Sequence, residues 1–71
     1  MFTDQIMTVA RELGIESEIR VVEDEQLNPL VTVTEGTRAV QSRIQISWLL
    51  DSSLTHVKTI LSDMHRMANN N

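Results

Sequence analysis

Apolar and polar residues alternate along the chain from Glu16 to Leu50, and a segment with helical spacing of apolar residues lies on each side. Alternation with a period of two is typical of strands that bury one face, whereas spacings of three and four residues indicate amphipathic helices. The pattern therefore predicts the element order helix, strand, strand, strand, helix.

The first helix is predicted over residues 3–13. Thr3 is a suitable N-cap residue, and Gly14 can adopt the left-handed conformation that ends a helix, which lets Ile15 fold back on Ala10. The apolar residues that recur along one side are Ile6, Val9, Ala10 and Leu13.

The last helix is predicted over residues 52–68, where Ser52 and Ser53 follow Asp51 as capping residues. Its apolar stripe is long enough to cover a small sheet. The residues of this stripe are Leu54, Val57, Leu61, Met64 and Ala68, widened by Ile60 and Met67.

Three strands are predicted between the helices, over residues 17–22, 30–35 and about 40–50, because these segments are rich in Val, Ile and Thr. Ile46 is expected at the centre of the buried face of the third strand. The parity of that strand assigns four residues to the buried face: Ile44, Ile46, Trp48 and Leu50.

A tight turn at Glu35-Gly36 connects the second and third strands, and would place Val31 opposite Val40. Arg38 does not fit the alternation. The sequence therefore leaves open whether residues 38–42 form a strand, with a bulge, or are partly loop.

The fold class predicted for residues 1–71 is a single α+β domain with two layers. Short connections favour a three-stranded antiparallel meander, and the apolar stripes of both helices would cover the same face of that sheet. The chain is long enough for one core but is close to the lower size limit for a fold without disulfides or metals.

This order of elements resembles the double-stranded-RNA-binding domain in topology. That family contacts an RNA duplex through lysines at the start of its second helix and through the loop between its first two strands. Here the matching positions carry Asp51 and a single Lys58 in the helix, and Glu23, Asp24 and Glu25 in the loop. Duplex RNA is therefore not the expected partner.

Composition narrows the function further. There is no cysteine, and no apolar run approaches the roughly 18 residues that span a bilayer. A soluble, cytoplasmic protein is the expectation. The net charge of −4 argues against a nucleic-acid backbone as the main partner.

Candidate catalytic and metal sites are weak. His56 and His65 are nine positions apart on one predicted helix and should face opposite sides. Ser52 and Ser53 are explained as caps, and no histidine–acid pair is fixed near them. The sequence predicts no enzyme activity, no cofactor and no metal.

The outer face of the predicted sheet is the remaining candidate site. Val22, Leu30 and Leu49 should form an apolar patch beside Glu23, Asp24 and Glu25, which we call the acidic turn. An apolar patch with a polar rim is typical of an interface. The predicted partner-binding residues are Val22, Leu30, Leu49, Glu23, Asp24, Glu25, Arg20, Arg43 and Gln45.

The predicted function is a small acidic protein-binding module, expected to form a homodimer or to bind another protein. Small plain chains of this kind are frequent among viral or mobile-element accessory proteins that inhibit a host factor, such as restriction or CRISPR machinery. Two alternatives stay open: a nucleic-acid-associated module that uses the arginines of the sheet, and an acidic chaperone-like dimer.

Overall fold

The computed structural model describes residues 2–24, 27–51 and 54–69. A 3-10 turn at Glu16–Glu18 precedes the first strand. The helices are α1 (Phe2–Glu12), α2 (Ile46–Leu49) and α3 (Thr55–Asn69), and the strands are β1 (Ile19–Asp24), β2 (Leu27–Glu35) and β3 (Arg38–Arg43).

The predicted fold class is confirmed. The three strands form one antiparallel sheet in the order β1-β2-β3, with helices before and after it. The apolar stripes of α1 and α3 and the inner face of β2 join in one buried cluster, so both helices lie on the same side of the sheet. The opposite face of the sheet carries no helix among the described residues.

Helix α1 ends as its sequence predicts. Gly14 has a φ of +75°, a conformation that strains any residue with a Cβ atom. The Gly14 N–H donates to Arg11 and the Ile15 N–H donates to Ala10, which satisfies the last carbonyls of the helix. Ile15 is buried as a result and anchors the chain before it enters β1.

The β2–β3 hairpin is regular, and its register differs from the predicted one. Gly36 and Thr37 form the turn, with Glu35 opposite Arg38. Val40 consequently faces Val33 and not Val31. This shift of two residues keeps every side chain on its predicted face, because successive side chains alternate between faces.

The third strand begins slightly earlier than predicted, and its predicted C-terminal part is wrong. Residues 38–42, which the sequence left open, belong to an unbroken ladder and are neither bulged nor loop. Strand β3 stops at Arg43, and the segment predicted to continue to residue 50 contains the helical turn α2. The last hydrogen bond between this segment and β2 runs from the Ile44 N–H to the Pro29 carbonyl. Proline has no N–H with which to continue the ladder.

This helical turn rearranges the predicted core. Leu49, predicted on the outer face, is buried with only 1 % of its surface exposed. Ile46, predicted at the centre of the core, is 37 % exposed, and Leu50 is 74 % exposed. A turn of helix changes the repeat from two residues to 3.6, so the strand parity no longer applies after Ile44.

Helix α3 begins later than predicted. Ser52 and Ser53, the predicted caps, lie outside the described residues. Leu54 precedes the helix with a φ of +54° and accepts the Lys58 N–H at 3.0 Å. Met67, predicted to widen the apolar stripe, is exposed. The buried residues of α3 are Val57, Leu61, Met64 and Ala68.

Candidate functional site

The outer face of the sheet is the surface that faces away from both helices. Its residues line up in rows across the three strands, and the register gives one row of Val22, Leu30 and Arg43. The next row consists of Arg20, Thr32 and Gln41. We refer to these six residues as the outer face.

Val22 and Leu30 are the apolar part of the outer face. They are direct cross-strand partners, and directly opposed side chains on one face of an antiparallel pair lie in contact distance. Val22 is 54 % exposed and Leu30 is half-buried. The pair is therefore a small apolar surface that the fold itself does not cover.

Polar groups surround this pair. The Arg43 guanidinium donates to the Asn28 carbonyl at 2.7 Å, and the Gln41 amide donates to the Thr32 hydroxyl at 3.2 Å. Beside them a shallow depression of about 550 Å³ extends along the outer side of β1 and β2, with Arg20 and Leu30 in its lining. The outer face thus carries two exposed arginines in a protein of net charge −4.

Two residues predicted on this surface lie elsewhere. Leu49 belongs to α2 and packs in the core, so the three-residue patch reduces to Val22 and Leu30. Gln45 follows β3 and accepts the Trp48 N–H at the start of α2, where its side chain is exposed but no longer part of the sheet. Both differences follow from the early end of β3.

The acidic turn has an unexpected structural role. The Glu23 carboxylate accepts the Phe2 N–H at 3.1 Å and the Thr3 hydroxyl at 2.8 Å, at the beginning of α1. The hydrogen bond from Thr3 is the main cause of a lowered pKa at Glu23. Asp24 is exposed at the end of β1, and Glu25 lies outside the described residues. Thr3, predicted as the N-cap, lies within the helix and donates to Glu23.

Three titratable residues, Glu18, Glu35 and His65, meet at the other end of the sheet in a cluster that no pattern in the sequence predicts. His65 on α3 lies 3.2 Å from the Glu18 carboxylate, and Asn69 contacts the same histidine. Glu18 also raises the pKa of Glu35 above its ordinary value of 4.5, first through a hydrogen bond between the two carboxyl groups and then through charge repulsion. The charge of His65 lowers that pKa.

This cluster predicts a pH dependence of stability. Because the pKa of Glu35 is higher in the folded state, the protonated side chain stabilises the fold. This contribution to the free energy of unfolding is complete below the ordinary pKa of 4.5 and is lost as the pH rises through the folded-state pKa. Glu35→Gln keeps a donor for Glu18 without the second charge. We expect a higher melting temperature than wild type at pH 7 and a flatter stability profile as the pH rises from 4.5 through the folded-state pKa of Glu35, measured by thermal denaturation.

Glu12→Gln is the matched control. Glu12 is also exposed, but it pairs with Lys58 at 3.2 Å, so its replacement should leave the melting temperature at pH 7 unchanged or lower. A Glu35→Gln variant that melts below wild type at pH 7 would contradict the repulsion between Glu18 and Glu35.

Trp48 lies at the border of the core. Its indole ring stacks on the imidazole of His56, with ring centroids 4.2 Å apart and planes inclined by 16°. Trp48 is half-buried and packs against the core cluster. This contact connects α2 to α3 and explains the tryptophan as part of the packing of the helical layer.

The described residues provide no metal centre, since no three His, Cys, Asp or Glu side chains among them come together in a way that could hold an ion. None of the helices they form is long and apolar enough to cross a membrane. Comparison of the chain with family models, curated proteins and solved structures finds no match. Its function must therefore be inferred from its own residues.

Proposed function

We propose that this protein is a small non-enzymatic binding module that recognises a protein partner through the outer face. The observation that carries the proposal is the exposed Val22–Leu30 pair on a sheet face that no described helix covers. Apolar side chains at such a position contribute little to the monomer, but they stabilise a complex when a partner removes them from water.

Charge indicates the chemistry of the partner. Arg43 is in the same row as Val22 and Leu30, and Arg20 is in the adjacent row. A protein segment that offers an aliphatic or aromatic side chain beside carboxylates fits this arrangement, because the apolar group would cover the pair while the acids meet the arginines. The partner predicted for the outer face is therefore an acidic segment with an apolar anchor.

A more specific role stays a prediction. A small acidic module that binds one protein is suited to act as an accessory inhibitor of a host factor in the cytoplasm, as viral and mobile-element proteins do. A nucleic acid bound through Arg20 and Arg43 is the second candidate, which these two exposed cations favour. Duplex RNA is the least suited nucleic acid, because Asp51 before α3 and the single Lys58 in its first turn replace a lysine cluster.

Leu30→Asp and Arg43→Asp test the outer face. Affinity capture from the cells that naturally make the protein, after nuclease treatment, identifies the partner by mass spectrometry. With the purified partner, each substitution should weaken binding by about tenfold or more, since it places a carboxylate against an acidic segment. Isothermal titration calorimetry measures this change, and circular dichroism checks that each variant is folded.

Leu50→Asp is the matched control, because Leu50 is the most exposed large apolar side chain among those that the structure describes and lies outside the sheet. It should bind the partner as wild type does. Equal binding by wild type, Leu30→Asp and Arg43→Asp would overturn the proposal. Capture that depends on nucleic acid and falls steeply between about 50 and 200 mM salt would support the second candidate instead.

A further inference from the structure

Strand β1 is an edge strand whose second side has no strand neighbour among the described residues. Three of its residues decide how that side can pair. Arg20 and Val22 are exposed and share the outer face, and Asp24 is exposed at the end of the strand. An exposed edge is a template for pairing with another chain unless the protein blocks it.

The hairpin shows which backbone groups of β1 point toward this edge. Glu35 and Arg38 close a two-residue turn, and Ile44 donates to Pro29, so the odd-numbered residues of β2 bond toward β3. The even-numbered residues of β2 therefore bond to their partners in β1, which are Arg20 and Val22. Val21 lies between these two residues and Ile19 precedes them. The N–H and C=O groups of Ile19 and Val21 therefore point to the open edge.

Charge selects one register among those that pair residues of β1 with one another. The pairing of β1 with β2 is irregular between Val22 and Asp24, but the extra residue lies in β2, where Asn28 and Pro29 are opposite Glu23, so β1 keeps its alternation. Two antiparallel copies that keep their outer faces on one side therefore bring even-numbered residues opposite one another. Centring the pair on Arg20 would oppose two arginines, and centring it on Val21 would oppose Arg20 and Val22. Centring it on Val22 places Arg20 opposite Asp24 of the second copy, twice by symmetry, with the two exposed valines in contact between them.

The other edge lacks this complementarity. Strand β3 carries Arg38 and Arg43 and no acidic residue, so any self-pairing gathers cations without a counter-charge. The Arg38 side chain, moreover, donates to the Met67 carbonyl of α3.

We infer that a second copy of this chain pairs with β1 in the antiparallel register centred on Val22. The resulting sheet has six strands, and the two outer faces join into one continuous surface. This inference extends the proposed function, since it doubles the surface offered to a partner. Arg20 and Val22 belong to both, but the dimer needs the open edge of β1 and Asp24, whereas partner binding needs Leu30 and Arg43.

A cysteine at position 22 tests the register directly, because the natural chain has no cysteine. Val22 would face its own copy as a non-hydrogen-bonded pair, with Cα atoms about 4.5 Å apart, within the range of about 4.4–6.8 Å that a disulfide needs. Val22→Cys should form a covalent dimer in mild oxidant, seen as twice the 8.1 kDa chain mass on a non-reducing gel. Thr32→Cys should stay monomeric, since β2 is separated from its copy by about 14 Å.

Charge reversal tests the ion pairs in the cysteine-free chain. Arg20→Asp and Asp24→Arg should each raise the dimer dissociation constant by about tenfold or more, because like charges then oppose one another at two places. The double variant should recover wild-type association. Arg43→Asp, an equally exposed change on the far edge, should leave it unchanged. Sedimentation velocity measures association, and circular dichroism checks folding.

Three results would overturn the inference: a wild-type chain that is monomeric at about 1 mM, equal cross-linking of Val22→Cys and Thr32→Cys, or a double variant that associates no better than the single ones. None of these measurements involves another protein, so their failure leaves the outer-face proposal intact. Loss of partner binding in Arg43→Asp, conversely, does not change the expected dimer.

Discussion

Leu49→Arg is expected to unfold the protein at room temperature. Leu49 is almost fully buried between the helices, and its backbone carbonyl accepts the Gln5 side chain of α1 at 3.1 Å. Removal of a buried leucine costs about 2–5 kcal/mol, and an unpaired charge at the same place adds several more. That total exceeds the roughly 5 kcal/mol available to a small domain. Far-ultraviolet circular dichroism and urea denaturation measure the loss.

Leu50→Arg is its matched control. The two leucines are adjacent in sequence, but Leu50 is 74 % exposed, so the same substitution should change the free energy of unfolding by about 0.5 kcal/mol or less. A folded Leu49→Arg variant with wild-type stability would show that Leu49 faces solvent and would return it to the outer face.

Ile44→Ala is expected to destabilise the protein by about 2–5 kcal/mol. Ile44 is fully buried at the point where the chain leaves the sheet, so the shortened side chain leaves a cavity beneath β2. Ile46→Ala, only two residues away, should cost about 1 kcal/mol or less, because Ile46 is partly exposed on α2. The free energies of unfolding are measured by urea denaturation of both variants.

The decisive quantity is the difference between the losses in unfolding free energy caused by Ile44→Ala and by Ile46→Ala. Both would be equally sensitive if residues 44–50 formed a strand, since they would then share its buried face. A cost at Ile46 equal to or larger than that at Ile44 would contradict the helical turn at 46–49.

The predictions made from sequence succeeded where local chemistry decides the structure. The apolar spacing of α1 and the glycine at position 14 define a helix and its end without help from the rest of the chain. The end of β3 depends instead on its partner. With Glu35 opposite Arg38, Leu27 at the beginning of β2 would lie opposite Ile46, so β2 offers no partner to residues 47–50. Alternation alone cannot reveal that limit.

The candidate site follows the same division. The parity of β1 and β2 placed Val22, Leu30 and Arg20 on one face, and the register of the sheet brings Arg43 beside them. Leu49 lies in the core and not on that face, because the alternation of β3 does not continue through the helical turn α2. The contacts of Glu18 with His65 and Glu35 join three separate elements. No periodicity in the sequence specifies such contacts, so only the structure reveals them.

The carboxylate that holds the first turn of α1 has a consequence for the order of folding. Glu23 is 21 residues away from Phe2 along the chain, so the first turn gains this partner only after the strand that carries it has docked. Helix nucleation is unfavourable, and the first amides of a helix have no acceptors within it. The beginning of α1 should therefore become ordered together with β1, and its amide hydrogens should exchange whenever that strand separates from the helix.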